Sequence, residues 1–125
     1  KMTVLKSISA AFLTLIVIYT IIVIANDDFD LFTPYLSDIF ALNWSGQFNL
    51  DFGMYLFISA LWIAWRHEFS GKGVVLAAIA LIGGMLFFAT YLLVQIRQAD
   101  GDVGRLLLGD KRLRPNRIRP ETALN

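Results

Sequence analysis

The sequence predicts an all-α integral membrane protein with three transmembrane helices, and three observations carry that prediction. Charge is absent from residues 7–26, 52–65 and 73–96. Hydrophobic residues make up 57% of the 125-residue chain and charged residues 17%, against about 45–50% and about 25% in soluble domains. The first and third runs exceed the ~18 apolar residues that carry a helix through a hydrocarbon layer of about 30 Å.

The first span is "SISAAFLTLIVIYTIIVIAN", residues 7–26, behind Lys1 and Lys6. Its apolar run is longer than the ~7–15 residues of a signal-peptide core, and "VIAND" is a poor small-residue cleavage site, so it reads as a retained signal-anchor. Its β-branched residues are no obstacle, because in lipid a helix satisfies its own backbone and an open strand cannot.

Residues 27–50, "DDFDLFTPYLSDIFALNWSGQFNL", cannot span, since Asp30, Pro34 and Asp38 interrupt them. Leu31, Phe32, Tyr35, Leu36, Ile39, Phe40 and Leu42 recur at roughly helical spacing, which predicts a short amphipathic segment on the membrane surface, with Trp44 at headgroup depth. This loop either covers the other helices or docks a partner.

The second span covers residues 49–66 and the third 73–96, "GVVLAAIALIGGMLFFATYLLVQI". The 14 uncharged residues of the second reach only about 21 Å at about 1.5 Å per residue, so it needs residues before Asp51 or outward snorkelling by Arg66. The short link "HEFSGK" between the spans predicts a tight antiparallel hairpin, with Gly71 and Gly73 supplying turn flexibility. Residues 1–110 form one membrane domain. Beyond it, residues 111–125 read as an extended basic tail, with Pro115 and Pro120 ending any long helix.

Small residues mark the packing faces. Gly73, Ala77, Ala80 and Gly84 share one side of the third span, and Gly53, Ala60 and Ala64 one side of the second. Such stripes let membrane helices approach closely. They fit internal hairpin packing, or a second protein seated around Gly83 and Gly84.

The chemistry-bearing residues are few. There is no cysteine, hence no disulfide or thiolate. His67 is the only histidine, too little for a metal site that takes three or four protein ligands. Trp62 and Trp65 beside Arg66 read as an interfacial girdle. Asp51 stands out: a hairpin pivoting near Phe69 sets it level with Phe87 and Phe88, within a turn of Thr90 and Tyr91. An ionisable group at that depth is a functional candidate, and its structural alternative is the N-cap of the second span. No cofactor is expected. Lys111, Arg112 and Arg114 suit anionic lipid headgroups, and the tail offers no aromatic ring for base stacking, so nucleic acid is not an expected partner.

Charge is polarised along the chain. Residues 27–51 hold five aspartates and no lysine or arginine, while 97–119 hold seven of the eleven basic residues. Three crossings set the two ends on opposite sides, and basic residues near the spans then nearly balance across the membrane. The first helix and its flanks favour a cytoplasmic N-terminus.

"LDFGMYLFISALWIAWRHEF", a short turn and "GGMLFFATYLLVQIR" resemble a family of small bacterial three-helix membrane proteins of unknown function. The likeness spans about residues 48–109. It implies an inner-membrane location and transfers no catalytic residue. The expected function is a non-catalytic accessory subunit of a larger membrane assembly (respiratory, photosynthetic or transport), with membrane lipids and other integral subunits as partners. The alternative is a small self-assembling transporter or channel centred on Asp51, Tyr91 and Gln95. A membrane enzyme lacks the paired carboxylates, histidine cluster or nucleophile its chemistry needs.

Overall fold

The structure, a computed structural model, describes residues 2–27 and 30–117, and every regular element among them is helical. In order these are α1 (Thr3–Asn26), α2 (Phe32–Phe40), α3 (Trp44–Arg66), α4 (Gly71–Ala99), α5 (Val103–Leu108) and α6 (Asp110–Arg117). Helices α1, α3 and α4 are long and apolar enough to cross a membrane. Both α1 and α3 pack against α4, and α2 lies on α3.

Local chemistry sets the boundaries. Helix α3 begins at Trp44, ahead of the uncharged run, because the Asn43 side chain accepts the amide of Gly46 at 2.9 Å and satisfies a free first-turn donor. The Asn43 cap replaces the N-cap expected of Asp51, which lies inside α3 with its side chain exposed. Helix α2 is held on α3 by the Tyr35 hydroxyl, which donates to the Asn49 carbonyl at 2.7 Å, and by Asn49 Nδ2, which donates back to the Tyr35 carbonyl. Gly46 makes this close approach possible, since a Cβ there would collide with the Asp38 carbonyl.

Four residues join α3 to α4. Glu68 and Phe69 carry the turn, both with positive φ (53° and 55°), and the Phe69 amide closes it on the Ala64 carbonyl at 2.8 Å. Gly71 and Gly73, expected in the turn, instead occupy the first turn of α4, capped by Ser70. Gly73 is needed for contact rather than flexibility: a Cβ there would lie 2.5 Å from His67 Cβ.

Helix α4 is not straight. Gly84 has φ 56° and ψ −140°, a conformation essentially reserved for glycine. His67 fixes the consequence. It packs against Gly73, and its Nε2 lies 2.9 Å from the Tyr91 hydroxyl. In a straight helix, positions 73 and 91 stand about 27 Å apart at about 1.5 Å per residue. Both can meet one histidine only because the chain doubles back at Gly84. A first arm, 71–83, lies antiparallel to a second, 85–99, each about 20 Å long. The core records the fold-back: Leu76, Ala77 and Ala80 of the first arm pack with Phe87, Phe88 and Tyr91 of the second. The tip is covered by α3, with Phe52 and Leu56 beside Gly84. Gly84 itself is buried there.

The reversal changes which parts of the chain share an end of the bundle. Met2, at the start of α1, packs against Ile96, Ala99 and Leu106. The N-terminal end, the α3–α4 turn and helices α5 and α6 therefore share one end of the bundle. Every described lysine and arginine lies on an element at this end. Asp27, Asp30 and Asp38 lie at the other, where the sequence from 27 to 51 has no basic residue. Ends on opposite sides were expected because the third apolar run reads as a straight crossing, and the Gly84 reversal removes that consequence.

The described part of the tail departs from expectation: residues 110–117 are helical despite Pro115, because α6 docks on the C-terminus of α3, while 118–125 lie outside the described residues.

Candidate functional site

At the basic end, α3 runs out at Arg66 and leaves carbonyls without helical partners. The C-terminal segment folds over them. Arg112 donates from Nε to the Trp65 carbonyl at 2.7 Å, and its guanidinium sits 4.0 Å from the Trp65 ring centre. Lys111 reaches the His67 carbonyl at 3.5 Å. Cations on the last carbonyls of a helix also oppose the negative end of its dipole. Gly109 lets the chain pass this close. Its φ is +79°, and a Cβ would lie 2.7 Å from the Arg66 carbonyl oxygen.

Arg66 is the centre of the arrangement. Only 3% of it is exposed, and a buried charge must find compensating partners. Its partners are neutral: Nε donates to the Leu106 carbonyl at 2.8 Å, Nη2 to the Arg105 carbonyl at 3.3 Å and Nη1 to the Tyr91 hydroxyl. The guanidinium also lies 5.2 Å from the Trp62 ring and 5.6 Å from that of Tyr91, within range of cation–π attraction. Trp62 Nε1 adds a bond to the Leu107 carbonyl at 3.2 Å. Arg66 thus ties α3, the second arm of α4 and α5 together. An outward snorkelling arginine was the expectation; here it points inward because α5 offers carbonyls that lipid does not.

The Tyr91 hydroxyl accepts from Arg66, which can only donate, so its own proton is free for His67 Nε2. Donation by Tyr91 to Nε2 corresponds to a neutral His67 with its proton on Nδ1. Burial first, then the positive charges of Arg66, Lys72 and Lys111, hold the His67 pKa below its ordinary value, which favours the neutral imidazole.

Beside this lock a cavity of about 460 Å³ opens between the two arms of α4. Its wall combines polar groups (Ser70, Lys72, Gln95, Gln98 and Lys111) with the apolar Leu76, Phe87 and Val94. Asp110 is its one carboxylate, held at 2.5 Å and 3.2 Å by the Arg105 guanidinium. A second, apolar groove of about 430 Å³ lies where Tyr35 of α2 meets Gly53 and Phe57 of α3.

The remaining expected residues are placed as follows. Gly73, Ala80 and Gly84 are buried and Ala77 and Gly83 partly so, with Gly73 on His67, Ala77 and Ala80 in the core, and Gly84 under Phe52 and Leu56. Trp44 is 76% exposed at the start of α3, its ring beside Phe48. Trp62 and Trp65 are half-buried and engaged by Arg66 and Arg112. Lys111 and Arg112 contact α3. Arg114 lies in α6, with its side chain outside the described ones. Asp51 and Tyr91 do not meet: Asp51 is near the start of α3 and Tyr91 is bonded to its end, because the Gly84 reversal carries Tyr91 back towards the α3–α4 turn. Among the described residues no group of three His, Asp or Glu side chains could hold a metal.

Sequence reading missed the Arg66–Tyr91–His67 network. The available signal was the pair Gly83–Gly84 inside an apolar run, read as a packing surface rather than a break. No protein-family model, curated protein or solved structure matches this chain.

Proposed function

We propose that this chain is a non-catalytic accessory subunit that packs against a larger assembly in a bacterial plasma membrane. On this reading α1 and α3 cross the bilayer and α4 enters and leaves from one side as a re-entrant hairpin. The basic end, with the start of α1 and helices α5 and α6, faces the cytoplasm, following the excess of lysine and arginine there.

The observation that carries the proposal is α1. Only 6% of its most apolar window is buried within the chain, and Leu15, Ile18, Tyr19 and Ile22 stand more than half exposed. A helix with so little internal contact needs lipid or another helix as its surroundings. The folded α5–α6 cap on the basic side supports a docking role, because it offers a fixed surface rather than a loose arm.

Affinity purification in a mild detergent, followed by mass spectrometry, tests this reading. A larger integral membrane protein is expected in near-stoichiometric amount. Recovery of the chain alone, as a monomer, counts against it.

A further inference from the structure

We propose that the cavity between the two arms of α4 binds the phosphate group of an anionic amphiphile. The phosphate lies towards Lys72 and Lys111, and the apolar chain towards Leu76, Phe87 and Val94. The proposal rests on the reading that this basic end lies at a bilayer surface, and it adds a defined site there.

Four observations lead to it. The volume of about 460 Å³ is within the range of ligand pockets, about 300–1,000 Å³. The wall divides by chemistry: Lys72, Gln95, Gln98 and Lys111 offer hydrogen-bond donors, while Leu76, Phe87 and Val94 offer an apolar surface. That division matches a molecule with a charged head and an apolar body. The charge is of one usable sign, because Asp110 is engaged by Arg105. Arg66 is committed as well, through Nε, Nη1 and Nη2, so recognition falls to the two exposed lysines. Both ammonium groups can turn to a phosphate without breaking the lock beneath them: Lys111 has only a 3.5 Å contact with the His67 carbonyl.

Phosphate chemistry could come from a lipid headgroup or from a free anion, and the experiment separates them. The full chain is purified in a mild detergent, and its retention of phosphatidylglycerol and phosphatidylcholine is compared by native mass spectrometry, with inorganic phosphate as competitor. Selective retention of phosphatidylglycerol is expected. Lys72→Gln with Lys111→Gln should weaken it about thirtyfold, from about fivefold per cation at a membrane surface, while Lys6→Gln leaves it unchanged. Displacement by inorganic phosphate at equal concentration would assign the site to a free anion. Equal retention of the two lipids, or no loss in the double variant, overturns the site. Retention is read in detergent, independent of membrane orientation and of any partner, so the site can stand where the accessory reading falls, and the reverse.

Discussion

The Tyr91 hydroxyl lies 2.9 Å from His67 Nε2 although 24 positions separate them, and the same oxygen accepts from the buried Arg66 guanidinium. One phenol therefore serves both residues at the end of α3. Removing it in Tyr91→Phe leaves one guanidinium donor buried without a partner and one imidazole nitrogen unpaired. A cost of about 1.5–3 kcal/mol is expected, the range for bonds to charged groups. Denaturant unfolding in detergent measures it, and a loss below about 0.5 kcal/mol would contradict the network, that being the scatter of neutral substitutions.

The reversal at Gly84 is open to a direct test. An L-residue at φ 56°, ψ −140° is strained by about 1–3 kcal/mol, so Gly84→Ala should destabilise although a Cβ there has ordinary contact room, 3.4 Å from Phe52. Spin labels at Val75 and Val94, one on each arm, should report a short distance in the parent chain. A separation near that of a straight helix would exclude the hairpin.

Sidedness gives a second geometric test. Single cysteines at Ser7 and Gly101 should react with an impermeant thiol reagent from the same side of the membrane, and one at Leu42 from the other. Opposite labelling of Ser7 and Gly101 would restore a third crossing.

The histidine sets a pH dependence. Its pKa is lower in the folded chain than the ordinary 6.5, so the unfolded chain binds the proton more readily and acid favours unfolding. The contribution of neutral His67 is complete above about pH 6.5 and shrinks as pH falls below it. The melting temperature should drop between about pH 7.5 and 5.5, and His67→Gln should flatten that drop. A parallel drop in the variant would place the titration elsewhere.

The two aspartates of this region differ in their surroundings. Asp51 is exposed within α3, whereas Asp38 is partly buried and accepts from Asn49 Nδ2 at 3.4 Å. Asp38→Ala should cost about 0.5–1 kcal/mol and Asp51→Ala nothing measurable. A larger loss at Asp51 would show that it has a partner outside this chain.

Much of the helical layout was legible from charge alone. Spans read at 7–26, 49–66 and 73–96 correspond to helices at 3–26, 44–66 and 71–99, because lysine, arginine and aspartate avoid the apolar layer and mark its edges. The path of the third was not legible. A hydropathy run has the same composition whether it continues or doubles back, and the decision falls to the backbone torsion of one glycine. Everything that depends on that torsion was hidden with it: the Arg66 lock, the cavity and the meeting of Met2 with Ile96, Ala99 and Leu106. The α6 helix escaped for a different reason. Pro115 and dense positive charge argue against an isolated helix, and the bond from Arg112 to the Trp65 carbonyl is tertiary.

The fold-back at Gly84 also bears on how such a chain is made. On the proposed orientation, an insertion machinery transfers only the loop after α1 to the far side, a stretch with no lysine or arginine. The cationic residues stay where they were synthesised, and the apolar run from 73 to 96 can settle late, from the ribosome side, once α3 is in place to cover its tip. An insertion pathway of that kind makes α3 a prerequisite for α4, so the order of assembly is written into a single bend.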